Sequence, residues 1–91
     1  MTDTVVNAPG QELTDVDSPE KEAGRLITRA MRLQGQRDYQ PTFHMLTEAI
    51  RLDPDNPNGY YFRANAHRAL GDLTAAVEDY TATIDLDPTY L

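Results

Sequence analysis

The 91-residue chain contains no cysteine and no tryptophan, and only one of its eight basic residues, Lys21, is a lysine. The absence of cysteine excludes disulfide frameworks, thiol catalysis and cysteine-based zinc sites. The two histidines, His44 and His67, stand far apart in the sequence, and neither lies in a recognised metal-ligand motif. We therefore expect neither a metal nor a cofactor.

The chain is also short of positive charge and of long apolar runs. Fifteen acidic residues against eight basic ones give a net charge of −7, which disfavours nucleic acid and anionic membranes as ligands. No apolar stretch approaches the roughly 20 residues of a membrane span, and no signal segment marks the N-terminus. These observations predict a cytoplasmic protein. The acidic, lysine-poor composition has two interpretations, the codon bias of a GC-rich genome and a surface suited to high salt.

The sequence carries no motif for catalysis. No nucleophile and general base occur close together in a recognisable motif. The sequence has neither a glycine-rich phosphate-binding loop nor the residue spacing of a calcium-binding loop. Because an enzymatic function has to be argued from a site, we expect no enzyme and no catalytic residue.

Charge and apolar pattern divide the chain near Ser18. Residues 1–18 are predicted to form a disordered acidic tail, because they have no periodicity and few apolar residues to bury. From there on, apolar residues recur at helical spacing, and no strand pattern occurs. The pattern predicts four helices of about 13 to 16 residues. The predicted N-caps are Ser18, Asp38, Asn56 and Asp72.

The helical part of the chain repeats itself with a period of 34 residues. Residues 23–57 align with 57–91 without a gap, and eight of the 35 pairs are identical, against roughly two expected by chance. The identical pairs are Arg29/Arg63, Ala30/Ala64, Asp38/Asp72, Thr47/Thr81, Ile50/Ile84, Leu52/Leu86, Asp53/Asp87 and Pro54/Pro88. We interpret residues 19–91 as one domain with repeat 1 at about 23–56 and repeat 2 at about 57–90.

A 34-residue helix-turn-helix unit that ends in Leu-Asp-Pro, with a small residue inside each helix, resembles the tetratricopeptide repeat (TPR) family. Repeat 1 departs from the family pattern, because Arg37 replaces the turn glycine and Thr42 a small alanine. The resemblance implies an all-α fold of four helices in TPR-type antiparallel pairs, a fragment of a right-handed α-solenoid. It implies that the residues defining the repeat packing are Leu26, Ala30, Leu46, Ala49, Pro54, Tyr60, Ala64, Gly71, Ala76, Tyr80 and Pro88.

The resemblance also implies a binding surface on the first helix of each repeat, because helical repeat stacks present a concave face. The residues expected in this peptide groove are Ile27, Met31, Gln34, Tyr61, Asn65 and Arg68. They predict noncovalent binding of a protein or peptide, a scaffold function in protein-protein interaction. Tyr61 and Met31 would supply contact area, Asn65 would bond peptide backbone, and Arg68 would pair with a carboxylate.

One alternative to the groove remains open, in which Ile27 and Met31 only complete intramolecular packing. They also occupy the places of the first Lys and Asn of the family's chaperone-binding subgroup, so a carboxylate clamp of that type is not expected.

A second functional hypothesis concerns the last helix. Val77, Thr81 and Ile84 are predicted to form an apolar face that a third repeat would normally cover. Such a face predicts a structural role, either self-association as a homodimer or docking as a fragment of a longer repeat array.

Several polar residues carry hypotheses of their own. His67 is predicted to be a core histidine bonded to a neighbour, with a pH switch as the alternative. Arg29 and Arg63 are expected to pair with acids such as Asp79. The first helix also carries a basic stripe, interpreted either as a solvated face or as a docking surface for the acidic tail. The stripe consists of Arg25, Arg29 and Arg32.

Overall fold

The computed structural model describes residues 18–90, in which the chain forms four helices and no strand. The helices are α1 (Pro19–Gly35), α2 (Tyr39–Leu52), α3 (Pro57–Ala69) and α4 (Leu73–Leu86). The predicted all-α fold of two helix pairs is confirmed. The predicted acidic tail, apart from Ser18, lies outside the described residues. None of the four helices is long and apolar enough to cross a membrane.

Side-chain caps begin three of the helices, as predicted. Each accepts a bond from a backbone N–H that has no partner within its helix. The bonds run from Lys21 N to Ser18 Oγ (3.2 Å), from Asn58 N to Asn56 Oδ1 (3.0 Å) and from Ala75 N to Asp72 Oδ1 (3.2 Å).

The start of α2 differs from the expectation. Asp38 occupies the N-cap position, but its side chain accepts no capping bond, so the prediction of a carboxylate cap there is wrong. The backbone carbonyl of Asp38 is bonded instead, by the Oγ1 hydroxyl of Thr42 at 2.7 Å. The hydroxyl that replaces a small alanine at position 42 is therefore buried without losing its hydrogen bond.

The turn inside each repeat places one residue in the left-handed region. Gly71 has a φ of 85° in repeat 2, and Arg37 has a φ of 62° at the corresponding place in repeat 1. Both residues donate a backbone bond to the carbonyl three positions earlier, at 3.0 Å and 2.9 Å. Repeat 1 thus keeps the turn geometry without the glycine, at the conformational cost of a positive φ for a residue with a Cβ.

The apolar core lies in repeat 1 and in its contact with α3. The core residues are Ala23, Ile27, Ala30, Leu46 and Ala49, none more than 6% exposed. Partly buried around them lie Leu26, Met45, Leu52 and Phe62. The buried residues of repeat 2 are small or polar: Ala64, Ala66, Ala76, Asp79 and Thr83, with Gly59. Repeat 2 therefore encloses much less apolar surface than repeat 1.

The residues expected to define the repeats differ in how far they are buried. Small residues inside the helices are buried, as close helix approach requires, whereas the prolines follow the helix ends. Ala30, Leu46, Ala49, Ala64 and Ala76 are buried, Leu26, Tyr60 and Tyr80 are half-buried, and Pro54, Gly71 and Pro88 are exposed.

α3 packs closely on α2 at Gly59. A Cβ at that position would lie 2.9 Å from Cγ1 of Ile50. Ala66, seven residues later and so on the same side of α3, is fully buried. The ring of His67 packs against that of Phe43 in a tilted arrangement, with centroids 4.6 Å apart. A helix with small and flat contact residues therefore covers the outer face of α2.

Candidate functional site

One face of α3 carries the predicted groove residues of repeat 2. Tyr61 and Asn65 are half-buried and Arg68 is exposed. Their helical spacing places them on one side of α3, and Asn58, three residues before Tyr61, continues the same row. Sequence reasoning missed Asn58, although its spacing from Tyr61 is a signal that could have found it.

Two tyrosine hydroxyls hold the side-chain amides of this row. Tyr80 on α4 donates to Oδ1 of Asn65, and Tyr90 donates to Oδ1 of Asn58. Each amide oxygen is thus engaged, and the Nδ2 group, with two N–H donors, is the part of each amide left for a ligand. No residue among 18–90 accepts a bond from either Nδ2. The contact between Tyr90 and Asn58 spans 32 positions, and no local sequence pattern signals it.

A cluster of tyrosine rings lies beside the two amides. The ring centroid of Tyr61 is 6.0 Å from that of Tyr80 and 5.0 Å from that of Tyr90, in edge-on and tilted arrangements that aromatic pairs favour. Burial raises the pKa of Tyr90 above its ordinary value of 10.0, and the nearby groups of Tyr61 and Asp87 act in the same direction. The cluster gives the row a flat, largely apolar centre.

Repeat 1 contributes less to the groove than expected. Met31 on α1 is 46% exposed and Gln34 is half-buried, but Ile27 is only 6% exposed. Ile27 belongs to the core because α3 packs against both helices of repeat 1. Its counterpart Tyr61 has no further helix over it within the described residues. The burial of Ile27 supports the alternative in which this residue completes intramolecular packing.

An ion pair fixes α3 between its two neighbours. Arg63 donates from Nε to Oδ2 of Asp79 at 2.7 Å and from Nη2 to Oδ1 at 2.9 Å, while Nη1 reaches Oγ1 of Thr47 on α2 at 3.3 Å. The carboxylate is 8% exposed, and its hydrogen bond raises the pKa of the Arg63 guanidinium. The expected pairing of Arg63 with Asp79 is confirmed.

The same carboxylate also explains two other polar residues. Nε2 of His67 lies 3.7 Å from Oδ2 of Asp79, beyond hydrogen-bond distance, and its side chain is 23% exposed. His67 is thus half-buried beside the carboxylate and not bonded to it, so the prediction of a core histidine bonded to a neighbour is not confirmed. Arg29, the repeat 1 counterpart of Arg63, makes no ion pair within residues 18–90. The position that corresponds to Asp79 in repeat 1 is Met45, so the internal repeat offers Arg29 no equivalent acid.

The basic stripe of α1 lies apart from the groove row. It borders an open depression of about 600 Å³ lined by Lys21, Gly24, Arg25, Thr28, Arg29 and Arg32. Among the residues that the structure describes, no three His, Cys, Asp or Glu side chains are grouped so that they could hold a metal ion. The α3 row presents hydrogen-bond donors, aromatic surface and one exposed cation.

Comparison with known proteins finds helical-repeat relatives. Residues 57–90 match the model of the tetratricopeptide repeat family. Small glutamine-rich tetratricopeptide repeat-containing protein 2 of Saccharomyces cerevisiae is 32% identical over 87% of this chain and 25% of its own length. Tetratricopeptide repeat and J domain-containing co-chaperone DNJ1 of Cryptococcus neoformans is 30% identical over 76% of this chain and 13% of its own.

A third relative comes from a plant. Hsp70-Hsp90 organizing protein 2 of Arabidopsis thaliana is 34% identical over 62% of this chain and 10% of its own length. The chain thus spans a quarter or less of each of these three relatives.

Proposed function

The chain belongs to the tetratricopeptide repeat family, and from this premise we propose that it is a noncovalent binding module for a peptide segment of a partner protein. The ligand lies along the face of α3 formed by Asn58, Tyr61, Asn65 and Arg68. The observation that carries the proposal is the pair of asparagine amides whose oxygens are held by tyrosine hydroxyls, which leaves two oriented NH2 groups beside an aromatic surface.

The spacing of the two amides suits an extended peptide. Asn58 and Asn65 are seven positions apart on one helix, about 10 Å along its axis at 1.5 Å per residue. An extended chain covers that distance in about three residues at 3.3 Å each. A peptide lying along α3 can therefore offer one backbone carbonyl to each amide, with Tyr61 packing against the side chain between them.

Charge indicates which peptides fit. α3 carries Arg63 and Arg68 and no acidic residue, and Arg68 is exposed at its C-terminal end. A carboxylate on the peptide would therefore meet a cation there, and Met31 on α1 adds an exposed apolar contact. We expect an acidic peptide with an apolar or aromatic residue near its middle. Relatives named as a co-chaperone and as an organizing protein support a protein ligand and a non-enzymatic role.

A peptide-library pulldown with the full chain tests the proposal. Wild type is compared with Asn65→Ala and Arg68→Glu, which remove an amide donor and reverse the exposed charge. Arg32→Glu on α1 is the matched control, because it makes the same charge change at an exposed site outside the row. Peptides should be lost with the two α3 variants and retained with the control. Identical profiles for wild type and both α3 variants would rule out this face.

A further inference from the structure

α4 carries an apolar stripe that no residue among 18–90 covers. Leu73 and Val77 are 62% and 61% exposed, and Ile84 is 42% exposed. Together with Thr81 they follow one another at helical spacing on one side of α4. We refer to Leu73, Val77, Thr81 and Ile84 as the end face. It is separate from the amide row on α3.

The internal repeat shows what kind of element fits such a face. The end face corresponds, 34 positions earlier, to Tyr39, Phe43, Thr47 and Ile50 on α2. On α2, α3 contacts three of these four positions. The tilted ring of His67 lies 4.6 Å from that of Phe43, Arg63 bonds Thr47 at 3.3 Å, and Gly59 lies against Ile50. The element that covers this type of face is thus a helix with small, basic and aromatic contact residues.

The charge around the end face is strongly negative. Exposed Glu78 and Asp85 border it, and Asp85 stands where α2 has Arg51. No basic residue occurs from position 69 to 90. Asp85 also lies in the last turn of α4, where the helix dipole favours cations and where no basic residue is present. By contrast α3, which covers α2, contains two arginines and no acid. Charge complementarity therefore calls for a basic helix.

α1 of a second copy of this chain cannot pack on the end face in the way that α3 packs on α2. α1 is the internal counterpart of α3, but it has Arg25 in place of Gly59 and Arg32 in place of the fully buried Ala66. Even a Cβ at the Gly59 position would come to 2.9 Å from the neighbouring isoleucine. A whole arginine side chain at either place prevents the close approach that α3 achieves.

We propose that the end face is a docking site for a basic amphipathic helix of a partner protein. The helix packs on α4 as α3 packs on α2, with a small residue against Ile84, an arginine at Thr81 and a flat or apolar side chain on Val77. This second site differs from the α3 row in its ligand, which is a basic helix rather than an extended acidic peptide.

The test uses a helix-stapled synthetic peptide that copies Pro57–Ala69, titrated into the full isotope-labelled chain and followed by NMR. Saturable shifts should appear at α4 residues 73–85. In the protein, Val77→Asp should weaken binding by at least about tenfold, because it forces a charge into an apolar contact. His44→Asp is the matched control: it adds the same charge at an exposed site on α2 and should leave affinity unchanged, as should Arg68→Ala in the α3 row.

A second peptide separates shape from charge. It carries Gly59→Arg and Ala66→Arg, so it is more basic than the first peptide but has the bulk of α1. Weaker binding of this peptide supports the proposal, whereas equal or tighter binding shows simple charge attraction and overturns it. The proposal also fails if the first peptide does not bind, if its shifts fall on the α3 row, or if sedimentation shows the chain alone to be a dimer that Val77→Asp dissociates.

Discussion

At the scale of single residues, the two turns provide a direct comparison of arginine and glycine in one backbone conformation. Arg37 and Gly71 both have positive φ values, and neither position is sterically crowded: Arg37 is exposed and a Cβ at Gly71 would meet no atom within 4 Å. Arg37→Gly should therefore stabilise the protein by about 0.5–1 kcal/mol, since it removes the left-handed penalty but adds unfolded-state freedom.

Urea unfolding of Arg37→Gly and of Gly71→Ala measures this difference. Gly71→Ala should lower the free energy of unfolding by about 1 kcal/mol, because alanine meets the same penalty that Arg37 already bears. If Arg37→Gly were destabilised, the arginine side chain would stabilise the fold by more than its positive φ costs.

Tyr90 gives the protein a pH dependence in alkali. Its pKa is raised in the folded state by burial and by the nearby Tyr61 and Asp87. A raised pKa means that its contribution to stability is complete below the ordinary value of about 10 and is lost as the pH rises through the folded value. Tyr90→Phe should unfold more easily at neutral pH, because Asn58 loses its bond, and should lose less stability in alkali. Urea midpoints measured between about pH 8 and pH 11 test this. If the midpoint of wild type and that of Tyr90→Phe fell equally with rising pH, the result would contradict the prediction.

At the scale of helices, replacing glycine by alanine should change stability in opposite directions at Gly24 and at Gly59. A Cβ on Gly24 in α1 meets nothing within 4 Å, so Gly24→Ala should stabilise by up to about 1 kcal/mol through helix propensity. A Cβ on Gly59 in α3 comes to 2.9 Å from Cγ1 of Ile50. Gly59→Ala should therefore destabilise, by about 1–2 kcal/mol net of propensity, because α2 and α3 must move apart.

Thermal unfolding of the two variants side by side is the measurement. The Gly24 variant should melt above wild type and the Gly59 variant below it. If both variants melt above wild type, α2 and α3 accommodate the added Cβ at position 59 without loss of stability, despite its short distance to Ile50. The pair matters for function, because the packing at Gly59 is the pattern that we propose for the partner helix on α4.

The helices were predictable from the sequence, while the roles of their faces were predictable only in part. Caps at Ser18, Asn56 and Asp72 depend on local residue types and are confirmed. Ile27 and Tyr61 hold the same place in the two repeats, yet one is core and the other half-exposed. The difference arises because a further helix packs over Ile27 and none among the described residues packs over Tyr61. Such tertiary contacts cannot be predicted from sequence periodicity.

The ion pairs show the same limit. The repeat aligns Arg29 with Arg63, and the sequence predicts pairing for both. Within residues 18–90 only Arg63 pairs with a carboxylate, because the partner position holds Asp79 in repeat 2 and Met45 in repeat 1. An identity between repeats therefore predicts a backbone position but not the contact made there.

At the scale of the whole molecule, the two ends of the helix stack are chemically different. The apolar core is enclosed by repeat 1 and α3, whereas α4 leaves apolar side chains exposed within an acidic surround. The opposite end, on α1, is basic. Unlike ends on identical copies would join head to tail into open-ended chains unless the surfaces failed to fit. Arg25 and Arg32 supply that misfit, because they replace Gly59 and the buried Ala66 of α3.

Removing the misfit should therefore create association. In the variant Arg25→Gly/Arg32→Ala, α1 gains the small contact residues of α3 and keeps Arg29 opposite Thr81 and Leu33 opposite Val77. Sedimentation of this variant should show mass that rises continuously with concentration, while wild type stays monomeric. The lost pair of Arg25 with Glu22 is exposed and contributes little to folding. Circular dichroism checks that α1 survives the added glycine.

The control variant Arg25→Gln/Arg32→Gln removes the same two charges but keeps most of the bulk. It should remain monomeric, because the misfit is one of shape. If both variants associate equally, charge alone keeps the copies apart. If neither does, the end face of α4 is not complementary to a helix with the contact pattern of α3, and the packing mode proposed for the partner helix is wrong as well.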